Sequence, residues 1–349
     1  MSLPTALEAK GTTPAMVSAI PLPSSTPALH LLAYAPILQD LERFEVRFRQ
    51  EMKSSDPAVS DLAQYSLLLG GKRLRPALVL LTAKACGHIA PEHTLLAVIV
   101  EMIHTATLIH DDIIDEAEIR RHVPTINRRW DAPTAVLLGD FLFSHAFYLA
   151  STFETTFAAR EIGKSTNLVC EGEIRQKLAK GNVFLSESDY LHIIGAKTGE
   201  LCACACRLGA HFAKVNPEKV EAFTEFGRLV GTAFQIADDI LDVAGDEKVA
   251  GKTLGTDLAE QRLTLPVIRL LERSNSEGKK QIVTLLADGT SASRRQLKLR
   301  LQDSGVLTES RVFANGLVSR AAELLASFPS SPALDSLRLL ARFSVDRQS

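Results

Sequence analysis

The stretch HTLLAVIVEMIHTATLIHDDIIDEA, residues 93–117, decides the fold. Leu96, Ile99, Val100 and Ile103 recur at three- and four-residue spacing, the period of a helix that buries a face. Its most apolar part, residues 95–109, is broken by Glu101 and His104 and falls short of the ~18 clean residues that a membrane span needs. The run closes on Asp111, Asp112 and Asp115, carboxylates set among Leu108, Ile109, Ile113 and Ile114.

Helical spacing continues outward in both directions. Residues 31–52 carry Leu, Ile, Phe and Val at helical intervals with charges between them. Residues 56–69 open on an Asp cap and a first-turn Pro and stop at Gly70-Gly71. Further helices are expected over residues 75–86, 132–151, 166–180, 186–212 and 217–243. Alternating β-branched runs and Asn-Gly or Asp-Gly hairpin turns are missing, and no Ser- or Gly-rich linker divides the chain after residue 30. The expectation is an all-α fold, a single large helical bundle over residues 29–349. Residues 1–28, rich in Pro, Ser, Thr and Ala without apolar periodicity, read as a disordered leader.

Composition narrows the function. Of the 349 residues 46% are hydrophobic and 23% charged, the profile of a globular protein, and the formal charge of −2 gives no reason to expect nucleic acid as a partner. Five cysteines without a secretory signal point to a reducing, cytoplasmic setting. Cys202, Cys204 and Cys206 resemble a metal site in one dimension only. On a helix, i+2 points away from i and i+4, so they read as small core residues.

A second acidic motif stands in FQIADDILDV, residues 234–243. Asp238 and Asp242 are four apart, as are Asp111 and Asp115, so each pair shares a helix face, with Asp239 and Asp112 about 100° around the same turn. An isolated DDxxD is ordinarily a solvated acidic face. Here both motifs are framed by apolar residues, and carboxylates at the edge of a core need counter-charge. Mg2+ suits them, because it takes oxygen ligands, keeps waters and is usually held by one or two carboxylates plus substrate phosphates. Two such clusters facing across a bundle can clamp a diphosphate. GGKRLRP, residues 70–76, adds Lys72, Arg73 and Arg75, a basic loop suited to an anion.

GGKRLRP, HTATLIHDDIIDEAEIRR, EGEIRQ, KTG, FQIADDILD and GKTLGTDLAEQRLTLP occur in the order and approximate spacing of the trans-isoprenyl diphosphate synthases. Over residues 30–347 the chain most resembles the long-chain polyprenyl members. The resemblance implies an all-α fold around a deep central cavity, usually a homodimer, that joins isopentenyl diphosphate head to tail to an allylic diphosphate with three Mg2+ ions per site. Carried over by position, Asp111, Asp115 and Asp238 hold Mg2+ on the allylic diphosphate, with Asp112, Asp239 and Asp242 nearby. Arg120, Lys197 and Lys252 contact that diphosphate. Lys72, Arg75, His104 and Arg121 bind isopentenyl diphosphate, and Thr198 and Gln235 line the region where the carbocation forms.

That chemistry needs no protein nucleophile, since neutralising the leaving charge in a dry, preorganised site suffices. The final proton can pass to the departing diphosphate, so His110 reads as a neutral helix residue beside the site. Three residues depart from the family pattern: His122 and Gln261 stand where Gly is usual, and Arg262 where Lys is usual.

Product length should follow from what floors the cavity. Ala106 and Thr107, five and four residues before Asp111, are small where short-chain members typically carry an aromatic. One helical turn is about 5.4 Å, so each floor removed admits about one more isoprene unit. Met102 and Ile103, then Val98 and Ile99, follow on that face, with Phe143 and Phe147 on a facing helix. The expected product is octaprenyl to decaprenyl, which leaves through transient membrane contact. The alternatives are a shorter farnesyl or geranylgeranyl synthase, or a non-catalytic partner subunit, though such subunits generally lose an Asp motif. A class I terpene cyclase is disfavoured by DDILD and GGKRLRP.

Overall fold

The computed structural model describes residues 32–244 and 255–346. The leader at 1–28 and Lys252 lie outside the described residues. The architecture is all-α. In chain order the main helices are α1 (Leu38–Glu51), α2 (Pro57–Ser66), α3 (Leu74–Ala85), α4 (Pro91–Ile114), α5 (Ala132–Ser151), α6 (Phe157–Leu178), α7 (Glu187–Ile194), α8 (Glu200–Phe212), α9 (Pro217–Ala244), α10 (Leu265–Arg273), α11 (Ser276–Asp288), α12 (Ser291–Asp303), α13 (Val306–Leu324) and α14 (Pro332–Val345).

Local chemistry sets several boundaries. Asp56 Oδ1 accepts from the amides of Ala58 and Val59 at 2.8 and 3.3 Å and starts α2 ahead of Pro57. A 3-10 turn over Leu67–Leu69 ends that segment, where Gly70 takes φ +56°. Asp131 caps α5 through Thr134 N at 2.7 Å.

The opening stretch forms α4, and it is buried nearly all round: Leu96 to Ile103, Ala106, Ile109 and Asp112 are all inaccessible. Helices α1, α3, α5 and α8 surround it, while α8 packs along α9 and α9 along α13. Phe44, Phe48, Phe223 and Phe226 are among the largest fully buried side chains. Each contributes about 1.5–3 kcal/mol relative to exposure. Cys202, Cys204 and Cys206 are free and buried in α8, as small core residues should be.

The polar interruptions of α4 are matched by partners. Glu101 is buried against Arg73 Nη1 at 2.8 Å, and Arg73 also reaches Glu45 at 2.6 Å. Both α4 and α5 are long and apolar enough to cross a membrane by length and composition. Packing makes α4 a core helix, whereas less than half of the corresponding window of α5 is covered.

Two features differ from the sequence expectation. A two-stranded ribbon follows the first acidic motif, β1 (Ile119–Arg120) against β2 (Val123–Pro124). Its two-residue loop, Arg121-His122, takes φ +50° and +65°, the sign pattern of a type I′ turn. Without Asn or Gly in the loop, the hairpin signal was absent. Residues 195–199, expected inside one continuous helix, form a π-turn between α7 and α8.

Candidate active site

The first acidic motif ends its helix, and the second lies in the last described turns of α9. Asp111, Asp112 and Asp115 occupy the last turn and cap of α4, and Asp238, Asp239 and Asp242 the last two turns of α9. That end of a helix already carries the negative pole of the macrodipole, so carboxylates there are disfavoured unless cations join them.

One chain of contacts connects the two clusters. Arg262 Nη2 donates to Asp115 Oδ1 at 2.5 Å and approaches Glu260 at 2.8 Å, while its Nη1 lies 4.0 Å from Asp257. The Asp257 amide in turn donates to Asp242 Oδ2 at 3.1 Å. The first motif, the segment after the second motif, and the second motif therefore meet at one end of the bundle.

In the first motif the middle carboxylate is the buried one, and in the second Asp239 and Asp242 are both buried. Asp112 is 1% exposed and accepts from Arg120 Nε at 2.9 and 3.1 Å, with Nη2 at 2.8 Å. Burial pushes its pKa up, against the opposing pull of Arg120. Asp239 accepts from Tyr190 Oη at 2.6 Å and from Gln235 Nε2 at 2.8 Å. Burial raises it to about 6 despite those two donors, and Asp238 and Asp242 add to the rise. Asp111 is likewise pushed up to about 6 by burial, with Lys197 drawing it down and Glu173 and Asp115 raising it.

Lys197 and Thr198 ride on the π-turn, a distortion that recurs at functional sites. Lys197 Nζ bridges Glu173 Oε2 at 2.5 Å and Gln176 Oε1 at 2.8 Å. The glycine of EGEIRQ makes this approach possible: a Cβ on Gly172 would lie 2.6 Å from the Lys197 amide nitrogen. Thr198 Oγ1 donates to Gln235 Oε1 at 2.9 Å. Tyr190, Lys197, Gln235, Asp239, Asp257 and Arg262 are among the residues lining a cleft of about 70 Å3.

A basic cluster surrounds His104, two turns before Asp111 on α4. His104 is held neutral, its pKa well below the usual value because it is buried and faces Arg75, Arg121, Arg120 and Arg73. Arg75 Nε is buried without a hydrogen-bond partner, an orphaned donor in a cationic setting. Arg121 Nη1 donates to the carbonyls of Leu69 and Gly70, tying the hairpin loop to the GGKRLRP turn. Lys72 is exposed at the same turn, where its carbonyl accepts from Tyr34 Oη at 2.7 Å.

Similarity to known proteins extends over most of the chain. Residues 56–301 match the family model for polyprenyl synthetase. The chain belongs to the polyprenyl synthetase family. The all-trans-nonaprenyl-diphosphate synthase (geranyl-diphosphate specific) of Rhodobacter capsulatus is 36% identical over 90% of this chain and 96% of its own. A short chain isoprenyl diphosphate synthase of Methanothermobacter thermautotrophicus is 32% identical over 88% and 96%. The structure of a polyprenyl synthase from Caulobacter crescentus CB15, complexed with calcium and isoprenyl diphosphate, superposes with a TM-score of 0.87 at 32% identity, covering 94% of this chain and 100% of that one.

For a polyprenyl synthetase, the donor set fits a hard divalent cation: Asp111, Asp115, Asp238 and Asp242 offer carboxylate oxygens at the end of α4 and in the last turns of α9. Among the described residues, no three acidic, imidazole or thiol groups are grouped to hold an ion by themselves. Mg2+ is ordinarily held by one or two carboxylates, with substrate phosphates completing its shell.

Sequence reading missed Tyr190 and Asp257, and it named Arg262 only as a departure. Tyr190 sits in an ordinary amphipathic stretch, and nothing local signals that its hydroxyl meets Asp239, 49 residues away. The structure also explains two departures. His122 and Gln261 both have positive φ, +65° and +55°, the backbone region that glycine enters at no steric cost. His110 lies against α5 at Gly139, where any Cβ would collide with its ring, and its Nε2 is 3.2 Å from Val136 O.

Proposed function

We propose that this polyprenyl synthetase condenses isopentenyl diphosphate, head to tail, with an allylic diphosphate to give an all-trans polyprenyl diphosphate of octaprenyl to decaprenyl length. The observation that carries the reading is the contact chain Asp115–Arg262–Asp257–Asp242, which brings both acidic motifs to one end of the bundle.

Asp111, Asp115, Asp238 and Asp242 would hold Mg2+, which when bound neutralises the charge of the diphosphate leaving group. Lys197 and Arg120, standing beside Asp111 and Asp112, add fixed positive charge to that diphosphate. Arg75, Arg121, Lys72 and neutral His104 bind the second diphosphate, where Arg75 Nε has its hydrogen bond still to make. As the allylic C–O bond breaks, Thr198 and Gln235 present polar groups to the developing cation. The isopentenyl double bond then attacks that carbon, and a proton leaves to the departing diphosphate.

Product length follows from the packing around α4. Ala106 and Met102 are fully buried on α4, and Thr107 is half-buried with its hydroxyl folded back onto the His104 carbonyl at 2.8 Å. Helix α5 does face α4: Phe143 lies 5.8 Å from the His110 ring, and Phe147 points at Gly163 of α6. Neither Ala106 nor Thr107 is aromatic, so the growing chain passes them and is stopped deeper, near Met102 and Phe147.

Two copies pair through the uncovered side of α5, where Leu137 is 68% and Tyr148 63% exposed beside Val136. Five free cysteines suit a reducing, cytoplasmic setting. Release of so apolar a product needs transient contact with a bilayer.

The test is incubation of the purified protein alone with Mg2+, farnesyl diphosphate and labelled isopentenyl diphosphate. A ladder ending between C40 and C50 is expected, and absence of any elongated product overturns the reading. Sedimentation of Leu137→Glu checks the homodimer, which that substitution should dissociate.

A further inference from the structure

Four hydrogen-bonding groups converge beside the cleft. Thr198 Oγ1 donates to Gln235 Oε1 at 2.9 Å, and Gln235 Nε2 donates to Asp239 Oδ1 at 2.8 Å. Tyr190 Oη donates to Asp239 Oδ2 at 2.6 Å. A carboxylate only accepts, so the phenol proton is directed at Asp239. The π-turn, α7 and α9 thus converge on one carboxylate.

A primary amide has two ends of nearly equal shape, and its neighbours decide which way round it sits. Thr198 does not decide, because a hydroxyl either donates or accepts. Asp239 does: a carboxylate only accepts, so the Gln235 NH2 must face it and the amide oxygen must face away. Asp239 can impose that choice only while its own plane is held, and its second oxygen is held by Tyr190, which is 3% exposed.

We propose that Tyr190 is a positioning residue of the reaction centre, locking Asp239 so that the Gln235 carbonyl oxygen, rather than its NH2, is turned toward the region where the allylic cation develops. This rests on the prenyl-transfer reading above. Tyr190 touches no reacting atom; it acts through Asp239 and Gln235. An amide oxygen carries negative partial charge and stabilises a nearby cation, whereas an amide left free to invert offers its NH2 part of the time.

The test is Tyr190→Phe, which deletes one oxygen and keeps the ring, assayed below the melting transitions of both proteins. The turnover number should fall about tenfold or more, the range for a hydrogen bond to a charged group. The KM for isopentenyl diphosphate and the Mg2+ concentration for half-activity should stay within about twofold, since neither interaction depends on the amide. Tyr190→Phe/Gln235→Ala should be no slower than Gln235→Ala alone, because both changes remove the same oriented dipole. Independently of catalysis, the 15N side-chain amide resonance of Gln235, assigned by its loss in Gln235→Ala, should shift in Tyr190→Phe without substrates.

Wild-type turnover in Tyr190→Phe, losses that multiply in the double variant, a change confined to the Mg2+ requirement, or an unmoved Gln235 resonance each overturns the proposal. Failure of the prenyl-transfer reading shows itself separately, as absence of elongation by the wild type, while the resonance test still reads the lock.

Discussion

The guanidinium of Arg262 closes on the Asp115 carboxylate at 2.5 Å, across 147 residues of chain, and joins the end of α4 to the segment beyond α9. In the apoprotein it supplies counter-charge to a helix end crowded with acids. Arg262→Gln leaves Asp115, Glu260 and Asp257 with less compensation. Urea denaturation without divalent ions should show a loss of about 1–2 kcal/mol, the lower part of the range for charged hydrogen bonds because the pair is partly solvated. Adding Mg2+ should restore more stability to the variant than to the wild type, since Arg262 and the ion serve the same carboxylate.

Asp111 makes stability depend on pH in a defined direction. Its pKa is raised by burial from 3.8 to about 6, so between those values the native protein binds a proton more tightly than the unfolded chain. Stability from this group is therefore present below pH 4 and is lost as pH rises through 6. Asp111→Asn removes the buried charge. Without divalent ions its Tm should exceed that of the wild type at pH 7.5, and the gain should shrink toward pH 5. A gain independent of pH contradicts the assignment. Activity should be lost in the same variant at every pH.

His122 and Gln261 carry side chains at φ +65° and +55°. The left-handed region costs an L-residue about 1–2 kcal/mol, and glycine gives back part of that relief in chain entropy. His122→Gly and Gln261→Gly should each stabilise by about 0.5–1 kcal/mol in urea titrations. His122→Val, with a branched Cβ in the same loop, should destabilise.

Arg75 tests the second diphosphate pocket. Its buried Nε lacks a partner, so the anion it awaits should be bound by that nitrogen. Arg75→Ala is expected to raise the KM for isopentenyl diphosphate about ten- to hundredfold, with a smaller effect on the allylic substrate. Equal effects on both substrates, in steady-state kinetics, remove Arg75 from that pocket.

Product length should respond to bulk on α4 and its neighbour. Ala106→Phe places an aromatic in a fully buried position one turn before the acids and should cut the product to about C15–C20, since one turn of about 5.4 Å corresponds to about one isoprene unit. Phe147→Ala should lengthen it. Reversed-phase separation of the dephosphorylated products reads both, and an unchanged ladder in Phe147→Ala removes that residue as the floor.

The sequence by itself determined the all-α character, the helices it named up to residue 243 and the two acidic motifs, because 3.6-residue periodicity, the cap at Asp56, and the i, i+4 spacing of Asp111 with Asp115 and Asp238 with Asp242 are local properties that survive in one dimension. It could not determine which carboxylates of each motif are buried. Asp112 meets Arg120 of the hairpin, Asp239 meets Tyr190 of α7 and Asp242 meets the Asp257 amide, partners that only the folded chain supplies. The hairpin itself and the π-turn were decided by tertiary packing, against local propensity. Positive φ at His122 and Gln261 likewise belongs to the folded chain, since no residue type there announces it. Charge pairing between helix ends acts through space, over a few ångströms that the chain reaches only after folding, so the site becomes specific only when the bundle closes.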